Sequence, residues 1–255
     1  MPLEIVTIPC LSDNYAFLAR DEATGTVALV DAPEAAPVQA ALEARGWDLD
    51  LILLTHHHAD HIDGVAELVS RYGAKVIGAA ADAHRLPPLD CSLSEGDTVA
   101  IGSVEGHVID VSGHTIGHIA FHFPDARVAF TADSLMALGC GRVFEGSFSQ
   151  MWGSLSKLAS LPAETLICSG HEYTAANAKF ALTIDPNNRD LTARVADISE
   201  KRAKGLATVP SRLSLELATN PFLRADNEAL KQALGMPDAE AADVFAEIRT
   251  RKDNF

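Results

Sequence analysis

The stretch LILLTHHHADHIDG, residues 51–64, sets His56, His57, His58 and His61 together with Asp60 directly behind an apolar run. Four of the ten histidines in 255 residues thus fall within six positions. Imidazoles and a carboxylate gathered in one loop are metal-ligand chemistry. Zinc, iron and manganese accept that mixed donor set, whereas calcium and magnesium take oxygen ligands. In extended or turning backbone His56 and His58 point one way and His57 the other, with Asp60 and His61 at the mouth of the next helix. Capping by Thr55 or Asp60 accounts for one residue of the cluster and leaves the histidines unexplained.

One loop cannot complete two coordination spheres, so further ligands are expected at other strand ends. VSGHTIGH places His114 just past a strand, among glycines that let the backbone turn tightly. VAFTADSL ends a strand at Asp133, and LICSGHEY ends one at His171. The remaining histidines, His84, His107, His118 and His122, have no matching partners. Of these His118, close to His114, is a candidate to support a ligand from behind.

The elements that must position these residues follow from apolar periodicity. Strands are predicted at 3–8, 15–20 and 26–31, then a helix opened by Pro33 and Glu34 and ended by Gly46. A buried strand, LDLILLT, leads into the histidine loop, and one helix, HIDGVAELVSRYG, leaves it. Further strands are expected at 74–78, 97–101, 107–111, 118–123, 127–132 and 164–168, with a helix at 149–160. Beyond residue 172 only helical periodicity remains, broken at Pro186, Pro210, Pro221 and Pro237. The chain therefore divides into an α/β catalytic domain, 1–172, and an α-helical domain, 173–255.

Composition narrows the function. Apolar residues make up 47% and charged residues 22%, as in an ordinary globular protein. The 35 acidic against 20 basic residues leave a net charge of −15. Such a surface repels phosphate backbones and anionic lipid, so nucleic-acid and membrane partners are not expected. The apolar runs are too short to span a bilayer, and MPLEIVTIPC lacks the basic-then-apolar order of a signal peptide. Four scattered cysteines, without CxxC spacing, point to reduced thiols in a cytoplasm rather than to a disulfide framework.

The pattern HxHxDH followed by His, Asp and His resembles that of the metallo-β-lactamase superfamily at all seven positions. The resemblance implies a four-layer αββα sandwich followed by a smaller all-α C-terminal domain, with two divalent metal ions. Zinc is the first choice, and iron or manganese suit the same donors. His56, His58 and His114 correspond to the ligands of one ion and Asp60, His61 and His171 to those of the other, with Asp133 bridging. Asp60 and Asp133 would then be the catalytic carboxylates. The superfamily hosts many reactions, so the metal motif alone names none.

GHEYTAANAKFALTIDPNN, VPSRLSLELATNPFLR, RTRKDNF and the loop GCGRVFEG are more specific. They resemble glyoxalase II, the hydroxyacylglutathione hydrolases. That likeness implies hydrolysis of S-D-lactoylglutathione to D-lactate and glutathione by a metal-bridging hydroxide, the second step of methylglyoxal detoxification. It implies a small-molecule partner only, with a monomer as the expected state. The family's glutathione-binding positions fall here on Arg142, Phe144, Tyr173, Arg249 and Lys252. Phe144 departs from the usual tyrosine: its ring stacks but has no hydroxyl to donate. Arg249 and Lys252 could otherwise be a basic last turn facing the helix dipole. A one-iron persulfide dioxygenase on a similar scaffold would need neither all seven ligands nor this helical domain. A metal-storage protein would have no use for the GCGRVFEG loop.

Overall fold

A computed structural model of the chain describes residues 2–255. It forms two compact units. One runs from the N-terminus to Val111 together with Ile116–Ala132, and the other comprises Ser112–Thr115 and Asp133–Phe255.

The first unit contains β1 (Leu3–Cys10), β2 (Asn14–Asp21), β3 (Val27–Val30), α1 (Ala35–Arg45), β4 (Leu51–Leu53), α2 (Ala59–Ile62), α3 (Val65–Tyr72), β5 (Lys75–Ala79) and β6 (Cys91–Leu93). Then come β7 (Thr98–Ile101), β8 (Val104–Asp110), β9 (Ile119–Phe123) and β10 (Val128–Ala132). Strands β1 to β6 lie in sequence order in one sheet. The first three are antiparallel and β3 to β6 are parallel. The β3–β4 and β4–β5 pairs are parallel because α1 and α3 carry the chain back over the sheet before the next strand begins. Val38, Leu42, Val65 and Leu68 of those helices join Leu18, Leu29, Ile52 and Leu54 in one buried cluster. Phe17, on the opposite face of β2 from Leu18, packs its ring 5.8 Å from that of Phe130 on β10. Strands β7 to β10 form an antiparallel meander. Every residue of β9 and β10 is buried, as strands covered on both faces require.

Two departures from the expected elements have local causes. The helix predicted from His61 to Gly73 is broken into α2 and α3 at Asp63–Gly64. Gly64 donates its amide to the Ala32 carbonyl at 2.8 Å, and a Cβ on it would stand 2.8 Å from the Glu34 carbonyl carbon. The chain passes too close there for a side chain or for continuous helix. Strand β6 was not expected, because three residues carry no readable alternation.

The second unit opens with a hairpin, β11 (Leu135–Met136) and β12 (Gly139–Cys140), followed by α4 (Phe148–Ala159) and β13 (Leu166–Ser169). Next come α5 (Thr174–Ile184), α6 (Arg189–Ala203), β14 (Ser211–Arg212), α7 (Leu213–Thr219), α8 (Glu228–Leu234) and α9 (Ala241–Asp253). Where the sequence shows only helical period, β14 adds two residues antiparallel to β13. Ser147, Asn188 and Asn227 cap α4, α6 and α8, their side chains accepting from Gln150, Leu191 and Leu230 amides. Phe180, Phe222 and Phe245 pack ring to ring at the centre of the helices.

Candidate metal centre

The parallel strands explain how the histidine loop is held. Strands β3, β4 and β5 are neighbours pointing the same way, so the loops at their C-terminal ends lie side by side. The middle loop carries the histidines, and each flanking loop supplies one buried aspartate. Asp31, after β3, accepts the Thr55 amide and Thr55 hydroxyl at 2.9 Å each and His61 Nδ1 at 2.8 Å. Asp82, after β5, faces His57 Nδ1 at 2.8 Å and Arg85 Nε at 2.7 Å. Adjacent histidines thus turn to opposite sides, His56 toward the Thr55–Asp31 side and His57 toward Asp82, while His61 on α2 also meets Asp31. Gly117 backs the second arrangement, since a Cβ there would overlap the Asp82 carboxylate.

The tautomers follow from donor counting. A carboxylate only accepts, so His61 carries its proton on Nδ1. The Thr55 hydroxyl donates to Asp31 and must therefore accept from His56 Nδ1, 2.9 Å away. In both rings Nε2 is left as the lone-pair nitrogen, the state a metal requires. His56 and His61 are fully buried with ring centroids 4.2 Å apart, and the His58 ring is 4.8 Å from that of His56. His118 stacks on His56 at 4.6 Å and 9°. Asp60, at the start of α2, is held by Asn14 Nδ2, which donates to its carboxylate and to its carbonyl at 3.0 Å each. One Asp60 oxygen lies 3.9 Å from His61 Nε2. Asp31, His56 and His61 lie close enough together to form a ligand group. The hydrogen bonds accepted by Asp31 give it the orienting role behind the two histidines rather than a place among the ligands.

The second unit gathers the other three expected ligands. His114 Nε2 is 3.5 Å and His171 Nε2 is 3.2 Å from the same Asp133 oxygen. His114 Nδ1 donates to the Arg142 carbonyl at 2.7 Å, which again leaves Nε2 as the lone-pair nitrogen. Gly141 makes this approach possible: a Cβ there would overlap the Asp133 carbonyl oxygen and crowd His114 Nδ1. The chain turns into Asp133 through Ala132 at φ 39°, a costly conformation for a non-glycine residue and one that gathers at functional sites. These donors fit a metal. Three imidazoles are each fixed by an Nδ1 hydrogen bond, with carboxylates beside the lone-pair nitrogens.

The expected substrate residues also lie in the second unit. The Tyr173 ring stacks on His171 at 4.6 Å, and the Phe144 ring is 5.3 Å from that of His114. Arg142 is exposed, with its guanidinium 5.6 Å from the Phe144 ring centroid. Lys252 lies over the rings of Phe180 and Phe255, and burial, then the neighbouring Arg249, hold its pKa below the usual lysine value. Arg249 is 95% buried. Its guanidinium donates to the Cys140 carbonyl at 3.0 Å and to Asp253 at 2.9 Å. Sequence reasoning missed Asn14, Asp31, Thr55 as a relay, and Asp82. Asp31 carried a signal, since it ends an apolar strand as Asp133 does.

A family model described as Hydroxyacylglutathione hydrolase C-terminus matches residues 172–255, and the Metallo-beta-lactamase superfamily model matches residues 12–171. The hydroxyacylglutathione hydrolase of one strain of Cereibacter sphaeroides is 66% identical over 255 residues, covering 100% of both chains. That of Ruegeria pomeroyi is 64% identical over the same span. Among solved structures, ETHE1 from Myxococcus xanthus matches with a TM-score of 0.67 and 25% identity, over 99% of this chain and 92% of its own. TTHA1623 in a di-iron-bound form matches at 0.62 and 25%, over 86% of this chain and 100% of its own.

Proposed function

The chain belongs to the hydroxyacylglutathione hydrolase family, a thioester hydrolase of the metallo-β-lactamase fold, and from that premise we propose how its residues carry the reaction. His56, His58 and His114 would hold one divalent ion, zinc in the first instance, and Asp60, His61 and His171 a second, with Asp133 available to both. The observation that carries this reading is the set of Nδ1 hydrogen bonds behind His56, His61 and His114, which leaves each Nε2 ready to ligate. The related TTHA1623 is described in a di-iron-bound form, which agrees with two ions. Bound there, a metal pair supplies Lewis acidity and a water acidic enough to react at neutral pH.

The chain's own groups do the rest. Asp133 offsets the charge of two neighbouring cations. Asp60, aimed by Asn14, is an acceptor for the attacking water. A thiol leaving group has a pKa of about 8.5, so the glutathione sulfur departs without a strong general acid. Burial pushes the Cys10 and Cys140 thiols up to about 11 and the Cys168 thiol further, which makes these three poor nucleophiles. Glutathione's carboxylates meet Arg142, Lys252 and Arg249, while Phe144 and Tyr173 flank the thioester end. We place the enzyme in the cytoplasm as a monomer. None of the four cysteines is in a disulfide, and no helix among the described residues is long and apolar enough to cross a membrane. Hydrolysis of S-D-lactoylglutathione, lost on chelation and restored by added divalent metal, is the direct test.

Arg142 and Lys252 are the cleaner probes of substrate binding, because Arg249 also holds the Cys140 carbonyl. A charge-assisted hydrogen bond contributes about 1.5–3 kcal/mol. Arg142→Ala or Lys252→Ala should raise KM for lactoylglutathione about ten-fold and leave kcat nearly alone, since the carboxylates are remote from the reacting carbon. A small uncharged thioester should show no such change. A fall in kcat at constant KM would remove both residues from the binding role. Phe144→Tyr restores the missing hydroxyl and should lower KM about two- to ten-fold, one hydrogen bond's worth. An unchanged KM would show that the ring alone serves.

A further inference from the structure

The hairpin β11–β12 joins two residues of the site just described. Asp133 stands two positions before it and Arg142 two positions after it. A two-stranded ribbon of this size has no stability of its own, so something must hold it. Here the polar backbone groups around its turn are taken by side chains from the helices. Asn220 Nδ2 donates to the carbonyls of Met136 at 3.1 Å and Gly139 at 3.0 Å. Asn177 Nδ2, on α5, donates to the Ala137 carbonyl at 3.1 Å. The Leu138 amide donates to Glu216 Oε2 at 2.9 Å.

These partners are themselves fixed. Glu216 is fully buried on α7, ion-paired with Arg194, and accepts from Ser211 Oγ at 2.6 Å. Asn220 is fully buried, and its Nδ2 also lies 3.2 Å from Glu216 Oε2. Leu138 sits at φ 54°, a conformation that a leucine keeps only where its surroundings impose it. Beyond the turn, the Gly141 amide donates to the Ser134 carbonyl at 3.1 Å, closing the two ends together. A buried carboxylate and buried amides are costly unless hydrogen-bonded, and these find their partners in consecutive backbone groups of the turn, which ties the turn to the helices.

We propose that Asn177, Glu216 and Asn220 are positioning residues that hold the turn of this hairpin and, through it, set Asp133 and Arg142 at its ends. The inference rests on the metal and substrate roles proposed above for those two residues. It accounts for polar residues buried in the helical region with no contact to the reacting atoms.

The test uses the full-length protein carrying its metals. Asn220→Ala removes both carbonyl contacts. Asn220→Asp keeps the shape but turns acceptors toward both carbonyls and toward Glu216, so the contacts to the turn are lost without opening a cavity. In both variants amide hydrogen exchange across residues 136–140 should accelerate. KM for lactoylglutathione should rise about ten-fold, with chelator removing metal correspondingly faster, as when other groups that orient a ligand are lost. KM for a small uncharged thioester should not move. If Asn220 variants do not fold, Asn177→Ala, which loses a single contact, takes their place with a smaller shift in the same readouts. A variant that only lowers the unfolding midpoint, with KM and metal retention as in the native enzyme, overturns the proposal. Arg142→Ala and Asp133→Asn serve as references. If these leave KM and metal retention unmoved, the site reading fails, while the exchange measurement still judges the clamp.

Discussion

Asp133→Asn should abolish most of the turnover, by about 10³-fold, and weaken metal retention, while the fold survives. The side chain is buried, and one of its oxygens faces both His114 Nε2 and His171 Nε2. Asparagine matches its volume but carries no charge, so packing is spared and the electrostatic role alone is lost. Two cations a few ångströms apart repel strongly, and a shared carboxylate is the group that offsets this. Metal-based stabilisation of a transition state is worth several kcal/mol. At about 1.4 kcal/mol per decade, losing about 4 kcal/mol of it gives the stated factor. Steady-state kinetics and elemental analysis of the same sample check this. Near-native turnover and metal content would reduce Asp133 to a turn residue at a strand end.

A second large effect is expected at a residue with no place among the ligands. Asp31→Asn should lower metal affinity by about 10–100-fold, the range found when a group that orients a ligand is removed. Asp31 accepts from the Thr55 amide and hydroxyl and from His61 Nδ1, and so fixes His61 directly and His56 through Thr55. Asparagine keeps one acceptor oxygen and turns an NH₂ toward groups that are already donors. His61 Nδ1 and the Thr55 hydroxyl share Oδ2 while the Thr55 amide has Oδ1, so the NH₂ deprives either the first two together or the Thr55 amide of an acceptor. The backbone is a fair control, because Asp31 sits at φ 57° and asparagine tolerates that region as well as aspartate does. Competition against a chromophoric chelator measures the affinity. A change of less than two-fold would show that the two histidines are oriented without Asp31.

These two residues show where sequence reading works and where it stops. His56, His58, Asp60 and His61 stand out because imidazoles are scarce and were crowded behind one apolar strand. Asp133 and His171 were legible because each ends such a strand, and β10 and β13 are where they were expected. Asp31 ends β3 in the same way and went unremarked, since a single aspartate after a strand is an ordinary turn residue. Its meaning lies in the parallel pairing of β3 with β4, a long-range fact. Asp82 and Asn14 are hidden for the same reason.

The helical region was legible as helix but not in its contacts. Glu216 and Asn220, in LSLELATN, fall in a stretch whose only legible feature is its helical period. In the fold they are fully buried against a hairpin some 80 positions earlier, at separations of 78 and 84 residues for the Leu138 and Met136 contacts. Neither that hairpin nor β14 has enough residues to show a period-2 pattern. The basic end of α9 read as cations available to a ligand. Lys252 keeps much of that character, whereas Arg249 is buried beneath the Cys140 carbonyl.

The central claim is a pair of metal ions serving one thioester hydrolase site. Elemental analysis of protein purified without chelator, titrated against its activity on S-D-lactoylglutathione, tests it most directly. Close to two transition-metal ions per chain, with activity rising to its maximum only as the second site fills, is the expected result. A reproducible value near one ion per chain with full activity would contradict the binuclear centre.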